Sequence, residues 1–223
     1  RNLKKFVKSG ALPPVERYMG FRTYYGPDEQ QGLLAPDLLA DSNTCNVFES
    51  HLKYIRKVND RHFMDWSQYL DLKTFTPCLN LTYTDKMSMA TSTEVRVPFL
   101  DHTLVEEVMN MSPSLRLNKL TRKYVLKKAM EGILPKEVIW RRKAGFGVPI
   151  HAWITGPLKE MVTDLLSPDT IKRRGYFNSA YVENQLSLEF SNREYLSNHI
   201  WALLTLELWQ QTFLDSSISN LSS

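Results

Sequence analysis

Apolar residues along the chain recur at three- and four-residue spacing, in segments of roughly 10–15 residues that read as helices. Pro, Gly, Asn and Ser punctuate them, clean period-two alternation is scarce, and neither an internal repeat nor a low-complexity tract is visible. The pattern predicts a mainly α-helical chain. Short helices fill the first 40 residues, broken at Pro13-Pro14, Gly26-Pro27 and Pro36. Helices over about Thr44–Val58 and Arg61–Thr74 follow, and after Pro77 another runs from Leu79 to Thr91, with Leu81, Asp85 and Met89 on one stripe and Ser88 and Ser92 close by. Residues 94–100 are predicted extended, because Pro98 lacks an N–H and biases Val97 away from helix. Asp101 then reads as an N-cap, with Leu100 and Val105 at hydrophobic-staple spacing. Ser112-Pro113 stops that helix. Thr121 opens the next, with Val125, Leu126, Ala129 and Met130 inward and Gly132 and Pro135 closing it. Residues 139–149 are the least regular. Beyond them Pro157–Leu166, Ser179–Phe190 and His199–Leu214 read as helices, the last apolar on nearly every side and so either central in a core or covered by something outside these residues.

Composition narrows the class. Of 223 residues, 43% are apolar and 23% charged, which is globular rather than disordered, and 25 aromatic residues with 8 Met can build a sizeable core. The net charge of +4 points only weakly toward an anionic partner. Cys45 and Cys78 form no C-x-x-C pair and the five His show no ligand spacing with them, which argues against a zinc site; such sparse cysteine fits a reducing compartment. The most apolar stretch, Ile200–Leu214, contains Glu207, Gln210 and Gln211 and is shorter than the ~20 residues of a membrane helix. The opening RNLKKFVKSG lacks the apolar region of a signal peptide. The expectation is a cytoplasmic protein with no membrane partner. Because the first residue is Arg1 rather than Met, we expect a segment of a longer protein.

Three features carry candidate chemistry. Arg141, Arg142 and Lys143 adjoin Gly145 and Gly147, whose missing side chains permit close backbone approach and positive φ; such a loop can cradle phosphate, Lys as a point charge and Arg as a fixed fork. The same residues also suit a solvated basic turn, and no Walker pattern accompanies them. Glu94 and Arg96, two apart on an extended run, point to one face; flanked by Val, Pro, Phe and Leu they are expected to be partly buried and paired, as a structural pin or as part of a site. Thr84 to Ala90 presents Asp85 and Lys86 among small and polar residues, which suits either a ligand cleft or a core helix packed through its Met residues.

Residues 84–108 (TDKMSMATSTEVRVPFLDHTLVEEV), 121–130 (TRKYVLKKAM) and 133–154 (ILPKEVIWRRKAGFGVPIHAWI) resemble the C-terminal region of the asparagine synthetase family. That family reads D-R-x-S-M-A, three residues, E-x-R-V-P-F-L-D, and later R-x-K with G-F-G-V-P. The clear match spans 71–168, and the whole chain, 1–223, is similar to the helical C-terminal part of the family's α/β synthetase domain, a PP-loop nucleotide-binding fold. The resemblance implies an ATP-dependent, Mg²⁺-assisted activation of the aspartate side-chain carboxylate as an adenylate, which ammonia derived from glutamine then converts to asparagine. It places Lys143 on the phosphates as the charge-stabilising residue, with Arg141, Gly145 and Gly147 beside it. It places Arg96 near the substrate carboxylate with Glu94 orienting it, and Asp85 and Lys86 in support, Lys86 standing where the family carries Arg.

The family's S-G-G-x-D-S pyrophosphate loop, its G-E-G-x-D-E acids and its N-terminal cysteine do not occur in these residues. The chain alone is therefore expected to be inactive. The family's P-D-D-I-L-V-K-V-D run reads Pro77-Cys78-Leu79-Asn80-Leu81-Thr82-Tyr83-Thr84-Asp85, without the paired acids and the Lys. That departure keeps open the same adenylating scaffold acting on another carboxylate, as in β-lactam synthetases or peptide-modifying cyclases. A basic nucleic-acid-binding module has only the net charge and the 141–143 cluster behind it, and no aromatic-basic interleaving, so no nucleic-acid partner is expected.

Overall fold

Proline sets three helix starts between residues 14 and 36. In the computed structural model, which describes residues 10–42, 48–58, 60–143, 145, 147–193 and 196–215, helices Pro14–Arg22, Pro27–Leu33 and Pro36–Ser42 each open on the proline that the sequence singled out. A proline there forfeits only an N–H that the first helical turn leaves unpaired anyway. The chain is mostly helical; among the described residues its one sheet is a two-stranded hairpin, Leu117–Asn118 against Thr121–Arg122, with Leu117 opposite Arg122 and Asn118 opposite Thr121. The mainly α expectation is met.

The backbone divides into two compact units. One joins Arg1–Asn46 to Phe146–Ser223. Its core is built by helices Ile150–Thr155, Lys159–Leu165, Pro168–Arg174, Ser179–Phe190 and Ser197–Gln210. Ile154, Val162 and Ile200 are completely buried there, with Leu166, Ile171 and Val182 nearly so. Each such side chain stabilises by about 1.5–3 kcal/mol relative to exposure. The final helix buries Ile200, Leu203, Leu204, Glu207 and Gln210 on one side, while Leu206, Leu208 and Trp209 stay exposed. It is half-covered rather than central. It continues as a π-helical turn, Gln211–Asp215, whose Asp215 accepts from Arg174 together with the buried Glu207.

The other unit, Val47–Gly145, is thinner. Its regular elements include helices Glu49–Ile55, Phe63–Lys73, Thr82–Met89, His102–Asn110 and Tyr124–Ala129. Among its described residues the buried apolar ones are few: Ile55, Trp66, Leu70 and Ile139. They are joined by a charged residue, Arg116, which donates to the Asp65 carboxylate and, at 2.5 Å, to Gln68 Oε1, tying the single turn Pro113–Arg116 to helix Phe63–Lys73.

Several sequence expectations for this unit need correction. The predicted helix Thr44–Val58 is helical over Glu49–Ile55, while its first four residues, with Cys45, lie outside the described residues. The helix expected from Leu79 is a π-helical turn over Thr76–Leu81 that runs into the α-helix Thr82–Met89. No residue of that helix is buried, and Met87 and Met89 are 67% and 56% exposed, so it is not a Met-packed core helix within this unit. Thr121 begins a strand instead of a helix; Lys123, in the left-handed region at φ 57°, breaks the chain between strand and helix. Residues 93–97 are irregular, and Pro98–Leu100 forms a 3₁₀ turn where extended backbone was predicted.

The Asp101 cap is as predicted: its carboxylate accepts from the N–H groups of Thr103 and Leu104, satisfying two donors of helix His102–Asn110. Asp101→Ala is expected to cost about 1 kcal/mol, read as a lower urea midpoint with an unchanged m-value.

Candidate functional site

The basic residues follow a short helical turn, and a second turn precedes helix Ile150–Thr155. Upstream, the single turn Lys136–Ile139 buries Ile139 and delivers Trp140, whose ring lies 4.9 Å beneath the Lys127 ammonium. A cation over an indole face is attracted by the ring quadrupole. Arg141, Arg142 and Lys143 follow without regular structure, exposed, and with no ion-pair partner among the described residues. Ala144 and Phe146 lie outside the described residues. Gly145 and Gly147 are exposed, neither adopts positive φ, and a Cβ on either would meet open space. The chain's own backbone therefore makes no demand for glycine at these two positions, and the positive φ that their freedom allows is not used. Downstream, Ile150 N–H donates to the Val148 carbonyl at 2.8 Å across Pro149 at φ −79°, ψ 59°. That is an inverse γ-turn, close to its energy minimum.

Glu94 and Arg96 meet, as their spacing predicted. Arg96 Nε donates to Glu94 Oε1 at 2.9 Å and Nη2 to Oε2 at 3.4 Å. The expected burial is absent: the two side chains are 71% and 84% exposed, because the apolar neighbours Val95, Val97 and Phe99 are exposed as well. An ion pair in that setting contributes at most about 1 kcal/mol. Its chemical use is to occupy one edge of the guanidinium while Nη1 stays available. Asp85 and Lys86 stand exposed on helix Thr82–Met89. Among the described residues, no side-chain hydrogen bond or ion pair joins either to the Glu94–Arg96 pair or to Lys143.

A cleft of about 700 Å³ opens in the same unit as Glu94 and Arg96. Lys57, Arg61, Lys73, Asp65 and Glu106 line it, with Pro77 and Leu81 of the π-helical turn. None of the candidate site residues named from sequence, Asp85, Lys86, Glu94, Arg96, Arg141, Lys143, Gly145 and Gly147, is among the residues lining this cleft.

Sequence reasoning passed over a buried carboxylate. Glu189 is completely buried in helix Ser179–Phe190 and accepts from His151 Nδ1 at 2.7 Å, from Leu196 N–H and from Ser197 Oγ. The hydrogen bond to Glu189 raises the His151 pKa above its ordinary value, against a smaller opposing contribution from desolvation. The available signal was periodicity, since Glu189 falls on the stripe of Val182, Gln185 and Leu186, all of them buried.

The chemistry of the loop fits phosphate: three exposed cations beside Gly145 and Gly147, at each of which a Cβ would meet open space. Magnesium is a different matter. Among the described residues no group of three or more His, Cys, Asp or Glu is arranged to hold a metal ion; magnesium that accompanies a nucleotide needs only one or two carboxylates beside the phosphates. Among the same residues, no helix is long and apolar enough to cross a membrane.

Comparison with known proteins adds the family. The family model for asparagine synthase matches residues 8–211. The chain is 31% identical over 209 residues to asparagine synthetase [glutamine-hydrolyzing] 1 of Bacillus subtilis, covering 92% of the chain and 32% of that protein. It is 28% identical over 220 residues to a putative asparagine synthetase [glutamine-hydrolyzing] of Mycobacterium tuberculosis, covering 96% of the chain and 32% of that protein. Amidase chyE of Penicillium rubens is 29% identical over 196 residues, covering 84% and 27%. No solved structure matches significantly. The chain spans about a third of the length of the curated relatives it matches. With its helical fold, its exposed basic loop and the Glu94–Arg96 pair, the chain belongs to the asparagine synthase family of amide ligases.

Proposed function

We propose that residues 1–223 are the C-terminal part of a synthetase domain that adenylates the side-chain carboxylate of aspartate with ATP and transfers ammonia to it, the ammonia derived from glutamine, giving asparagine, AMP and pyrophosphate. The observation that supports this reading is the exposed Arg141–Lys143 cluster, without an ion-pair partner among the described residues, in the run that resembles the family's R-x-K and G-F-G-V-P motifs. In the reaction a carboxylate oxygen attacks the α-phosphorus and pyrophosphate leaves. Lys143 offsets the negative charge that builds on the phosphates, and Arg141 assists. Arg96, held along one edge by Glu94, offers its remaining N–H groups to a substrate carboxylate. Asp85 and Lys86 support that side. Magnesium, when bound, would neutralise the phosphate oxygens, and its ligands would come from outside the described residues.

The exposed apolar side chains of the 47–145 unit, Phe99 and Ile133 among them, fit a surface covered in the intact protein. The run Pro77–Asp85, which departs from the family pattern and overlaps the π-helical turn Thr76–Leu81, favours a second reading: the same adenylating chemistry on a different carboxylate.

Exchange of labelled pyrophosphate into ATP by the full-length gene product, across a panel of carboxylates, separates the two. Aspartate-dependent exchange supports the first reading. Exchange with another acid and not with aspartate replaces it by the second, and exchange with none overturns both. The 223-residue chain by itself is expected to make no asparagine from aspartate, ammonia and ATP.

A further inference from the structure

The cleft of about 700 Å³ lies wholly within the Val47–Gly145 unit, and its size is in the range of about 300–1,000 Å³ that takes small molecules. Two helices supply most of its lining. Asp65, Tyr69, Leu72 and Lys73 recur at helical spacing on helix Phe63–Lys73. His102, Val105, Glu106 and Met109 do the same on helix His102–Asn110, so each helix turns one stripe to the same space. The connection that carries Lys57 and Arg61 adds to it, as does Leu81 of the π-helical turn.

Arg116 braces the two helices. Its guanidinium donates to Asp65 and Gln68 of the first and, at 3.8 Å, to Met109 Sδ of the second. Asp65 and Met109 both line the cleft, so a buried side chain ties one side of it to the other. A space braced in this way is pre-formed, and a ligand does not have to spend binding energy on ordering it.

The lining also selects. Leu72, Leu81, Leu100 and Val105 are half-buried and offer apolar surface. Lys57, Arg61 and Lys73 are exposed, and none of them makes an ion pair with a described residue; Lys73 Nζ lies 5.8 Å from the centre of the Tyr69 ring. Of the three acids at the cleft, Asp65 is already held by Arg116, which leaves Asp60 and Glu106 against the three cations. The surplus charge beside the apolar surface is therefore positive.

We propose that this cleft is a binding site for a small amphipathic anion, an apolar body that carries one carboxylate, sulfonate or phosphate group. The apolar body packs on Leu72, Leu81, Leu100 and Val105, and the anionic group is met by Arg61 and Lys73. None of the residues given a part in adenylation lines the cleft, so the inference does not rest on that reading.

Two fluorescent probes test it in the full-length gene product. Anilinonaphthalene sulfonate and phenylnaphthylamine share one apolar body, and only the first carries a negative charge. The sulfonate should saturate a site and bind about tenfold more tightly than the neutral probe. The double change Arg61→Gln, Lys73→Gln should weaken the sulfonate about tenfold and leave the neutral probe nearly unaffected. Glu106→Gln removes a repelling charge and should tighten the sulfonate about threefold. All three side chains are exposed, so neither variant should alter the melting temperature much.

Equal affinity for the two probes overturns the proposal. So does sulfonate binding that ignores the double change, or that weakens in Glu106→Gln. A full-length product that binds neither probe overturns it as well, and shows the cleft to be filled by another part of the protein.

Discussion

Lys143→Ala in the full-length gene product is expected to lower the turnover of carboxylate-dependent pyrophosphate exchange by about 10²–10³-fold, the usual result of removing a group aimed at charge that develops in the transition state. The expectation rests on three features of the loop. Lys143 is exposed, it has no ion-pair partner among the described residues, and it follows two further cations, so its ammonium is not spent on a structural contact. Removing it should therefore leave stability almost unchanged, and the whole effect should appear in kcat. Lys143→Arg keeps the charge and loses the compact, rotatable ammonium, so partial activity is expected. Arg141→Ala should cost less, because Arg141 assists and does not lead. Steady-state kinetics with a matched urea titration checks the point: a large fall in kcat at constant stability is the expected combination. A fall in stability of equal size would make Lys143 a structural residue.

The second large effect concerns stability. Arg116→Ala should destabilise the Val47–Gly145 unit by about 3 kcal/mol, since it strips the partner from an almost buried Asp65. Side-chain exposures of 4% for Arg116 and 16% for Asp65 put this pair in a different regime from Glu94–Arg96, at 71% and 84%. Breaking the exposed pair removes an interaction that water had already screened. Breaking the buried one leaves a carboxylate that water cannot reach fully, together with an unpaired Gln68.

The scale matters because domains are stable by only about 5–15 kcal/mol and this unit has few buried apolar residues to spare. Urea unfolding followed at Trp66, which is buried in the same unit, reports the loss. The double change Arg116→Met, Asp65→Leu should recover most of it, because exchanging both charges for apolar groups of similar size is close to neutral. Failure to recover would mean that the pair specifies the local fold.

Elements with a strong terminal signal were legible in the sequence. Asp101 caps where its carboxylate can reach two N–H groups, and Ser179–Phe190 has the predicted boundaries. Pro14, Pro27 and Pro36 start helices because that is where proline costs least. Helix Pro168–Arg174 was overlooked although its signals were present: Ser167 caps it, Pro168 opens it and Gly175 ends it at φ 74°. The Thr121–Arg122 strand lay beyond local pattern, because a two-residue strand has no period to read and depends on Leu117–Asn118 for its partner.

The candidate site divides in the same way. Motif order named Lys143, Glu94 and Arg96, and spacing alone put Glu94 and Arg96 on one face. Burial was misjudged there, since apolar neighbours imply a cover only when something packs on them, and Val95, Val97 and Phe99 are exposed. His151 and Glu189 are 38 positions apart and meet only once the helices pack.

The most direct test of the central claim follows one oxygen atom. Aspartate carrying ¹⁸O in its side-chain carboxylate is supplied to the full-length gene product with ATP and an ammonia source, and the nucleotide product is weighed by mass spectrometry. Attack on the α-phosphorus followed by displacement with ammonia leaves that oxygen on AMP, so one ¹⁸O per AMP is predicted, with unlabelled pyrophosphate beside it. Label appearing in inorganic phosphate alongside ADP, or asparagine formed with no label in AMP, would contradict activation through an adenylate.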